Sequence, residues 1–430
     1  MTLGFQKRGS AGDRRLGRDV LWNVGSLVVL GVSGVVINTV IARLQGREAL
    51  GVFNQVFAFY IVLSQLAVGG LQFSVLQKVS YHHDDRRACS RIASSALLLV
   101  AAVSAIVCLV AFAGRHLAGR LLDSPAVSLG IAFVIPGLFL YSLNKLLINV
   151  VNGLRHMRAY AVFQSLRFLF ILLAIVAIIR LGYPATHLPL ALSLAEAVLF
   201  VGLTTYLHAR QLRLTLDRSL GQWFRQHLSY GTRGVLSGIL HELNTRVDIL
   251  ILGYFLDDAA VGLYSFAAVL AEGFGQVPVA VRWNVDPIIG RCFAEGRPQD
   301  IAALAHRVRR VFWPLMAVMG AAAVVVYPLV LRVFLPGGEF AASWAVFAIL
   351  IAALTFNAGW RPFMGLLLQS GRPGTHTLLV ASVAVSNAVL NLLLVPLFGV
   401  CGSATATGMA YALEALLIAA FGRKLLRVAI

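Results

Sequence analysis

Residues 21–42 read LWNVGSLVVLGVSGVVINTVIA, a run of 22 residues without a charged side chain. Wound as a helix at ~1.5 Å per residue, it matches the ~30 Å hydrocarbon core of a bilayer. Lys7, Arg8, Arg14, Arg15 and Arg18 precede it, as basic residues precede a secretory signal. The run is too long for a signal's apolar core, and no small-residue cleavage site interrupts it, so it is expected to stay attached as a first membrane helix. The rest of the chain agrees with this reading. Of its 430 residues 59% are hydrophobic and 13% charged, about half the ~25% charged fraction of ordinary globular proteins. That composition excludes disordered, collagen-like and coiled-coil chains and most soluble enzymes. The fold class expected is an all-α integral membrane protein.

A window of roughly 20 residues moved along the chain finds about twelve spans. They lie at 21–42, 50–77, 91–113, 127–152, 160–181 and 187–209, then at 229–256, 260–289, 310–335, 341–369, 375–397 and 401–426. Placing the N-terminus in the cytoplasm puts two thirds of the 36 Lys and Arg in cytoplasmic loops and tails, which predicts an N-in, C-in topology. The organisation expected is a basic tail (1–20), a first lobe of six spans (21–209), a linker (210–228), a second lobe of six spans (229–426) and a short tail (427–430). The linker carries Leu212, Leu214, Leu216, Leu220, Trp223 and Phe224 among Arg213, Arg218 and Arg225, the pattern of an amphipathic helix on a membrane surface.

The net charge of +18 is accounted for by the cytoplasmic face and the anionic lipid headgroups beside it, with no need of a nucleic-acid partner. The short loops leave no room for a soluble catalytic domain, and no enzymatic activity or cofactor is expected. Cys89, Cys108, Cys292 and Cys401 show neither metal-ligand spacing nor a disulfide framework, so no metal site is expected either.

The chain repeats itself weakly. Gly51 matches Gly262 at an offset of 211, Asn152 and Gly153 match Ser370 and Gly371, and Glu196 matches Glu414 at an offset of 218, with Gly182 near Gly399. Six spans per half give both halves the same orientation, so the two bundles are parallel and related by an axis along the membrane normal. Substrate is then expected between the lobes.

Ionisable groups inside the spans cost at least ~2.5–3.5 kcal/mol each at the bilayer centre, so they must pair or line a wet cavity. Lys145, Arg167, Arg282 and Arg361 come from four helices and share a level on the order of 10 Å inside the cytoplasmic boundary. Glu196, Glu242, Glu272 and Glu414 form a deeper acidic layer, where Glu196 and Glu414 suit pairing between helices. Span 7 has a polar face of His241, Glu242, Asn244, Thr245, Arg246 and Asp248, in which Glu242 and Arg246 lie one turn apart. Glu272, Gln276, Arg282 and Asp286 form a stripe on span 8. Glu242, Asp248 and Glu272 are the candidates for ion coupling.

Two segments carry a family likeness. In residues 244–264 an Asn and an Asp are followed by an apolar run, Gly253, a short acidic turn and Gly262–Leu263–Tyr264. In residues 391–407 the chain reads NLLLVPLFGVCGSATAT. Both resemble the Wzx-type polysaccharide flippases of the multidrug/oligosaccharidyl-lipid/polysaccharide (MOP) exporter superfamily. The resemblance implies two MATE-like six-helix lobes in a bacterial cytoplasmic (inner) membrane. It also implies transport of an undecaprenyl-pyrophosphate-linked oligosaccharide to the periplasmic leaflet for O-antigen, capsule or exopolysaccharide, beside a polysaccharide polymerase or assembly machinery. A cationic lumen is implied too, onto which Lys145, Arg167, Arg246, Arg282 and Arg361 map by depth and type. Lipid II flippases of the superfamily usually have two further spans. A cation-coupled multidrug exporter of the same fold is the competing reading, followed by a membrane glycosyltransferase or O-antigen polymerase, which would normally show a long soluble loop.

Overall fold

The protein, as a computed structural model, is described over residues 10–210, 212 and 220–428. The expectations for residues 1–9, for linker residues 211 and 213–219, and for the side chain of His241 therefore lie outside the described residues.

Every described element is a helix. In chain order they are α1 (Ser10–Val68), α2 (Leu71–Tyr81), α3 (Arg86–Leu121), α4 (Pro125–Gly153), α5 (Met157–Arg180), α6 (Leu190–Ala209), α7 (Leu220–Phe255), α8 (Asp258–Ala294), α9 (Gln299–Phe334), α10 (Ser343–Asn357), α11 (Leu366–Gln369) and α12 (Pro373–Leu426), with single 3₁₀ turns at Ala185–His187 and Arg361–Phe363. The fold is all-α and membrane-spanning, and the expected spans fall on these helices, except that 50–77 is interrupted at Gly69–Gly70 between α1 and α2 and 341–369 is divided between α10 and α11. Among the described residues, eight helices are long and apolar enough to cross a membrane by themselves. Two of them hold two expected spans apiece. In α1 the chain breaks at Gly46 (φ 82°) and in α12 at Gly399 (φ 57°), backbone conformations that L side chains resist. α7 is long enough, but its polar face around Glu242, Asn244, Arg246 and Asp248 lowers its hydropathy.

One expectation changes. Residues 341–369 are not a continuous helix: α10 ends at Asn357, a 3₁₀ turn covers Arg361–Phe363, and the two helical parts meet at 53°. Pro362 lies at the break; it lacks an N–H and its ring obstructs the preceding turn. The first helix also starts earlier than expected, at Ser10 rather than 21, so the expected tail and span 1 share one helix.

The chain packs as two compact units. The first comprises the described residues up to Ile37 with Leu63–Ala113 and Ala132–Val235, the second Asn38–Val62, Gly114–Ile131 and Leu236–Ile430. The division therefore does not simply follow the linker: two segments of the first half pack with the second. The first unit closes around Val100, Leu146, Leu147, Val150 and Leu203. The second closes around Ile289, Phe363 and Leu379, with a smaller group at Phe312, Met316 and Ala358. Outward-facing residues are apolar as well: Val325 is 78% and Leu397 72% exposed, as lipid-facing positions require.

Within the second unit the N-terminal end of α8 is fixed by its sequence. Asp257 caps it by accepting the Ala260 N–H at 2.7 Å, and the next acid, Asp258, accepts from Gln55 Nε2 at 2.5 Å and Ser124 Oγ at 2.6 Å. These bonds tie residues from α1 and from the loop before α4 to α8.

Candidate functional site

The second unit encloses a cavity of about 640 Å³. Its wall is built by α7 (Glu242, Asn244, Arg246, Asp248), α8 (Tyr264, Glu272, Gln276, Arg282), the break after α10 (Arg361) and α12 (His376, Asn387, Thr407, Tyr411, Glu414). Of the eight residues proposed from sequence for binding or coupling, six line it: Arg246, Arg282, Arg361, Glu242, Asp248 and Glu272. Lys145 and Arg167 belong to the first unit.

The three cavity arginines are all held by carboxylates. Arg361 Nη1 lies 3.4 Å from Glu414 Oε2, with Tyr411 under the guanidinium at 5.5 Å. Arg282 Nε lies 3.1 Å from Asp286 Oδ2, one turn on, and Gly365 leaves the space that this carboxylate fills. Arg246 reaches across to Glu272 on α8 at 3.6 Å and stacks on Phe57 at 5.4 Å. The pairs at Arg246 and Arg361 are long, and each guanidinium keeps a buried Nε with no acceptor. A guanidinium has five N–H donors, so these arginines retain capacity for a further anion.

A second polar chain runs beside them. Tyr264 OH donates to Asp248 Oδ2 at 2.6 Å, while Asp248 Oδ1 accepts the Ile249 N–H at 2.9 Å. Ser403 Oγ donates to Asn391 Oδ1 at 2.7 Å, Asn391 Nδ2 to Asn387 Oδ1 at 2.9 Å, and Asn387 Nδ2 to the Asn244 carbonyl at 3.4 Å. Sequence reasoning placed Asp248 on the polar face of span 7 but assigned no role to Tyr264, Asn387 or Ser403. The i, i+4 spacing of Asn387 and Asn391 was the available signal.

The first unit holds a drier version of the Arg361 arrangement. Arg167 Nε lies 2.6 Å from Glu196 Oε1, with side chains 9% and 1% exposed. Asn144 Nδ2 donates to Glu196 Oε2 at 2.7 Å, as Asn357 Nδ2 donates to Glu414 Oε1 at 3.3 Å in the second unit. Tyr141 carries Arg167 on its face at 4.5 Å, with Lys145 Nζ at 5.6 Å from the same ring. Glu196 and Glu414 thus both pair between helices. Half-buried Lys145 differs from the other four cations in having no carboxylate partner among the described residues.

Helices long and apolar enough to cross a bilayer, an acid–amide–guanidinium set in each unit and a polar cavity within the second define a multi-spanning membrane protein with a charged interior. Solved structures share the fold. A lipid II flippase MurJ in an inward closed conformation superposes with a TM-score of 0.77 at 12% identity, covering 93% of this chain and 86% of that one. A multidrug resistance MATE family transporter of the MOP superfamily, inward-facing, gives 0.77 at 14% identity over 94% of each. No curated relative matches the sequence. The family model described as "Polysaccharide biosynthesis protein" matches residues 16–274, and the chain belongs to that family.

Proposed function

We propose that this protein moves an undecaprenyl-pyrophosphate-linked oligosaccharide from the cytoplasmic to the periplasmic leaflet of a bacterial inner membrane, supplying O-antigen, capsule or exopolysaccharide synthesis. The observation that carries the reading is that Arg246, Arg282 and Arg361 line one cavity large enough for a headgroup, with the Arg246 and Arg361 ion pairs long and an Nε of each without an acceptor. Phosphate oxygens are the acceptors that guanidinium groups bind best, through short charge-assisted bonds. Family membership supports the same cargo, and membrane lipids together with a polymerase or assembly machinery are the partners it calls for.

In this reading the pyrophosphate approaches from the cytoplasmic side and adds to, or displaces, the long Glu414 and Glu272 contacts. The lobes then rock and the polyprenyl tail stays in lipid. Glu272 becomes available for a coupling ion when Arg246 turns to the cargo, with Glu242 on the same cavity wall and Asp248 held ready by Tyr264.

One observation favours a second reading. The cavity wall carries Glu242, Asp248, Glu272 and Glu414 against Arg246, Arg282 and Arg361, a balance that also suits an organic cation exchanged for a coupling ion. A deletion strain separates the two. Undecaprenyl-linked oligosaccharide stranded on the inner leaflet supports the flippase; intact surface glycan with raised dye sensitivity supports the exporter.

A further inference from the structure

Indoles carry a large apolar face and one N–H donor, and a packed helix normally engages at least one of them. Among the described side chains this holds for Trp223, Trp313, Trp344 and Trp360. Trp223 meets the His82 ring edge-on. The N–H of Trp313 donates to the Thr355 carbonyl at 2.9 Å, and that of Trp344 to the Val324 carbonyl at 3.1 Å. Trp360 packs against Phe356 at 5.2 Å and Trp313 at 6.2 Å. Trp283 of α8 is the exception: it is 50% exposed, and among the described residues neither its ring nor its N–H has a partner.

Trp283 follows Arg282, the last residue that α8 gives to the cavity wall. At 100° per residue the wall residues of α8, from Tyr264 to Arg282, occupy a sector of about 140°. Trp283 falls inside that sector, about 20° from Gln276 and about 10 Å further along the axis. Helical side chains lean toward the N-terminus of their helix, so the indole reaches back toward Gln276. Gln276 itself lines the cavity, is exposed, and has no partner for its carboxamide among the described residues. The exposed side of α8 is polar here, with Gln276, Asn284 and Arg291 beside Trp283. Exposed positions of α9 are instead Val311, Val318, Val325 and Leu329. Unpartnered amides are costly in hydrocarbon, so this side of α8 meets water and not acyl chains.

We propose that Trp283 and Gln276 form the subsite for the sugar ring bonded directly to the pyrophosphate, and so decide which glycan is accepted. The inference rests on the cargo assigned above. In such a cargo the group next to the phosphates is a pyranose, and the residue next to Arg282 is Trp283. The electron-rich indole face stacks on the C–H face of the ring, and the Gln276 carboxamide, with two donors and an acceptor, bonds its hydroxyls. Arg282 reads only charge, whereas this pair reads ring face and hydroxyl pattern.

Calorimetric titration of the purified full-length protein in detergent tests it. The probes are farnesyl methyl diphosphate, which has the charge of the cargo and no sugar, and farnesyl diphosphate carrying glucose, galactose, N-acetylglucosamine or N-acetylgalactosamine. Wild type is expected to bind the methyl probe, and at least one glycosylated probe several-fold more tightly. W283L and Q276A are each expected to weaken binding of that glycosylated probe about five- to tenfold, the scale of one aromatic contact or one hydrogen bond, and to bind the methyl probe as wild type does. W283F keeps a flat ring and is expected to retain most of the gain. A wild type that binds none of the probes overturns the cargo reading and the subsite with it. A wild type that binds the methyl probe as tightly as every glycosylated one leaves the cargo reading standing and overturns the subsite alone. So does unchanged binding of the glycosylated probe in W283L or Q276A, and so does an equal loss of all probes in W283L, which marks a tryptophan that serves packing or lipid anchoring.

Discussion

Gly51 and Gly262 meet face to face where α1 crosses α8. A Cβ on Gly51 would fall on the carbonyl oxygen of Asp258, and a Cβ on Gly262 would fall on the carbonyl oxygen of Arg47. Arg47 and Asp258 are separated by the same 211 residues as the two glycines, so the crossing is reciprocal and its two sides are equivalent positions of the repeat. Small residues let helix backbones approach this closely in lipid, where packing replaces the hydrophobic effect between helices.

Gly51→Ala or Gly262→Ala must therefore push the helices apart, because the obstructing atoms are backbone. Each substitution is expected to destabilise the protein by about 1–3 kcal/mol, as overpacking of a close contact does, and by similar amounts, since the two sides are equivalent. Thermal unfolding of the two variants in detergent measures this; a large loss from one and none from the other would refute the reciprocity.

The buried pairs differ in how far water reaches them. Removing Glu196 strands Arg167 in a site almost closed to solvent, and breaking a buried pair costs about 3–5 kcal/mol. Arg361 has a side chain 24% exposed beside Glu414, so its loss of partner is relieved by hydration. Glu196→Ala is expected to lower thermal stability and membrane yield clearly more than Glu414→Ala, and matching Tm losses would contradict this ordering.

In transport the order reverses. Arg361→Ala and Arg282→Ala, with normal expression, are expected to abolish export of lipid-linked oligosaccharide. Tyr411→Phe keeps the ring under Arg361 and is expected to retain most activity. An oligosaccharide-translocation assay in the deletion strain, complemented with each variant, reads these effects; full activity of the Arg282 variant removes it from the binding set.

His227 confers a dependence on pH. It is fully buried, its Nδ1 is 2.9 Å from Ser74 Oγ, and burial, with a contribution from the Lys78 charge, pushes the imidazole down to about 4. Nearby, Lys78 also bonds Gln226 at 2.5 Å and faces the Trp223 ring, against which His82 packs edge-on. Since the unfolded chain takes up a proton near ~6.5 and the folded chain does not until about 4, stability is fully present above ~6.5 and falls as pH drops through this window. The loss is on the order of 3 kcal/mol by pH 4. Unfolding followed from pH 7 to 4.5 should show a decline that His227→Gln flattens.

Much of this architecture was readable in the sequence because lipid imposes a simple rule: a run of roughly 20 apolar residues spans, and a charge inside such a run must have a partner. Glu196 and Glu414 could be assigned to pairing on that ground alone. Their partners could not, since Arg167 and Asn144 reach Glu196 from other helices and nothing in one-dimensional spacing encodes a helix rotation. The break at Asn357–Arg361 was hidden for a related reason. Pro362 signals strain, but many membrane helices absorb a proline by bending, and the turn that sends Trp360 and Arg361 apart depends on tertiary neighbours. Depth grouped Lys145, Arg167, Arg282 and Arg361 into one layer; the contacts sort Lys145 and Arg167 around Tyr141 and the other two around the cavity.

The pairing of Arg167, Arg246, Arg282 and Arg361 with acids also determines what transmembrane voltage can act upon. A field of 100 mV does work of about 2.3 kcal/mol on each elementary charge that crosses it, but a guanidinium moving with its carboxylate is a neutral body on which that work cancels. The resting protein thus has little gating charge of its own at these positions. A doubly charged pyrophosphate carried outward would gain roughly 4–5 kcal/mol from an inside-negative potential, so the voltage dependence of turnover becomes a count of the charges on the cargo and on whatever coupling ion crosses with it.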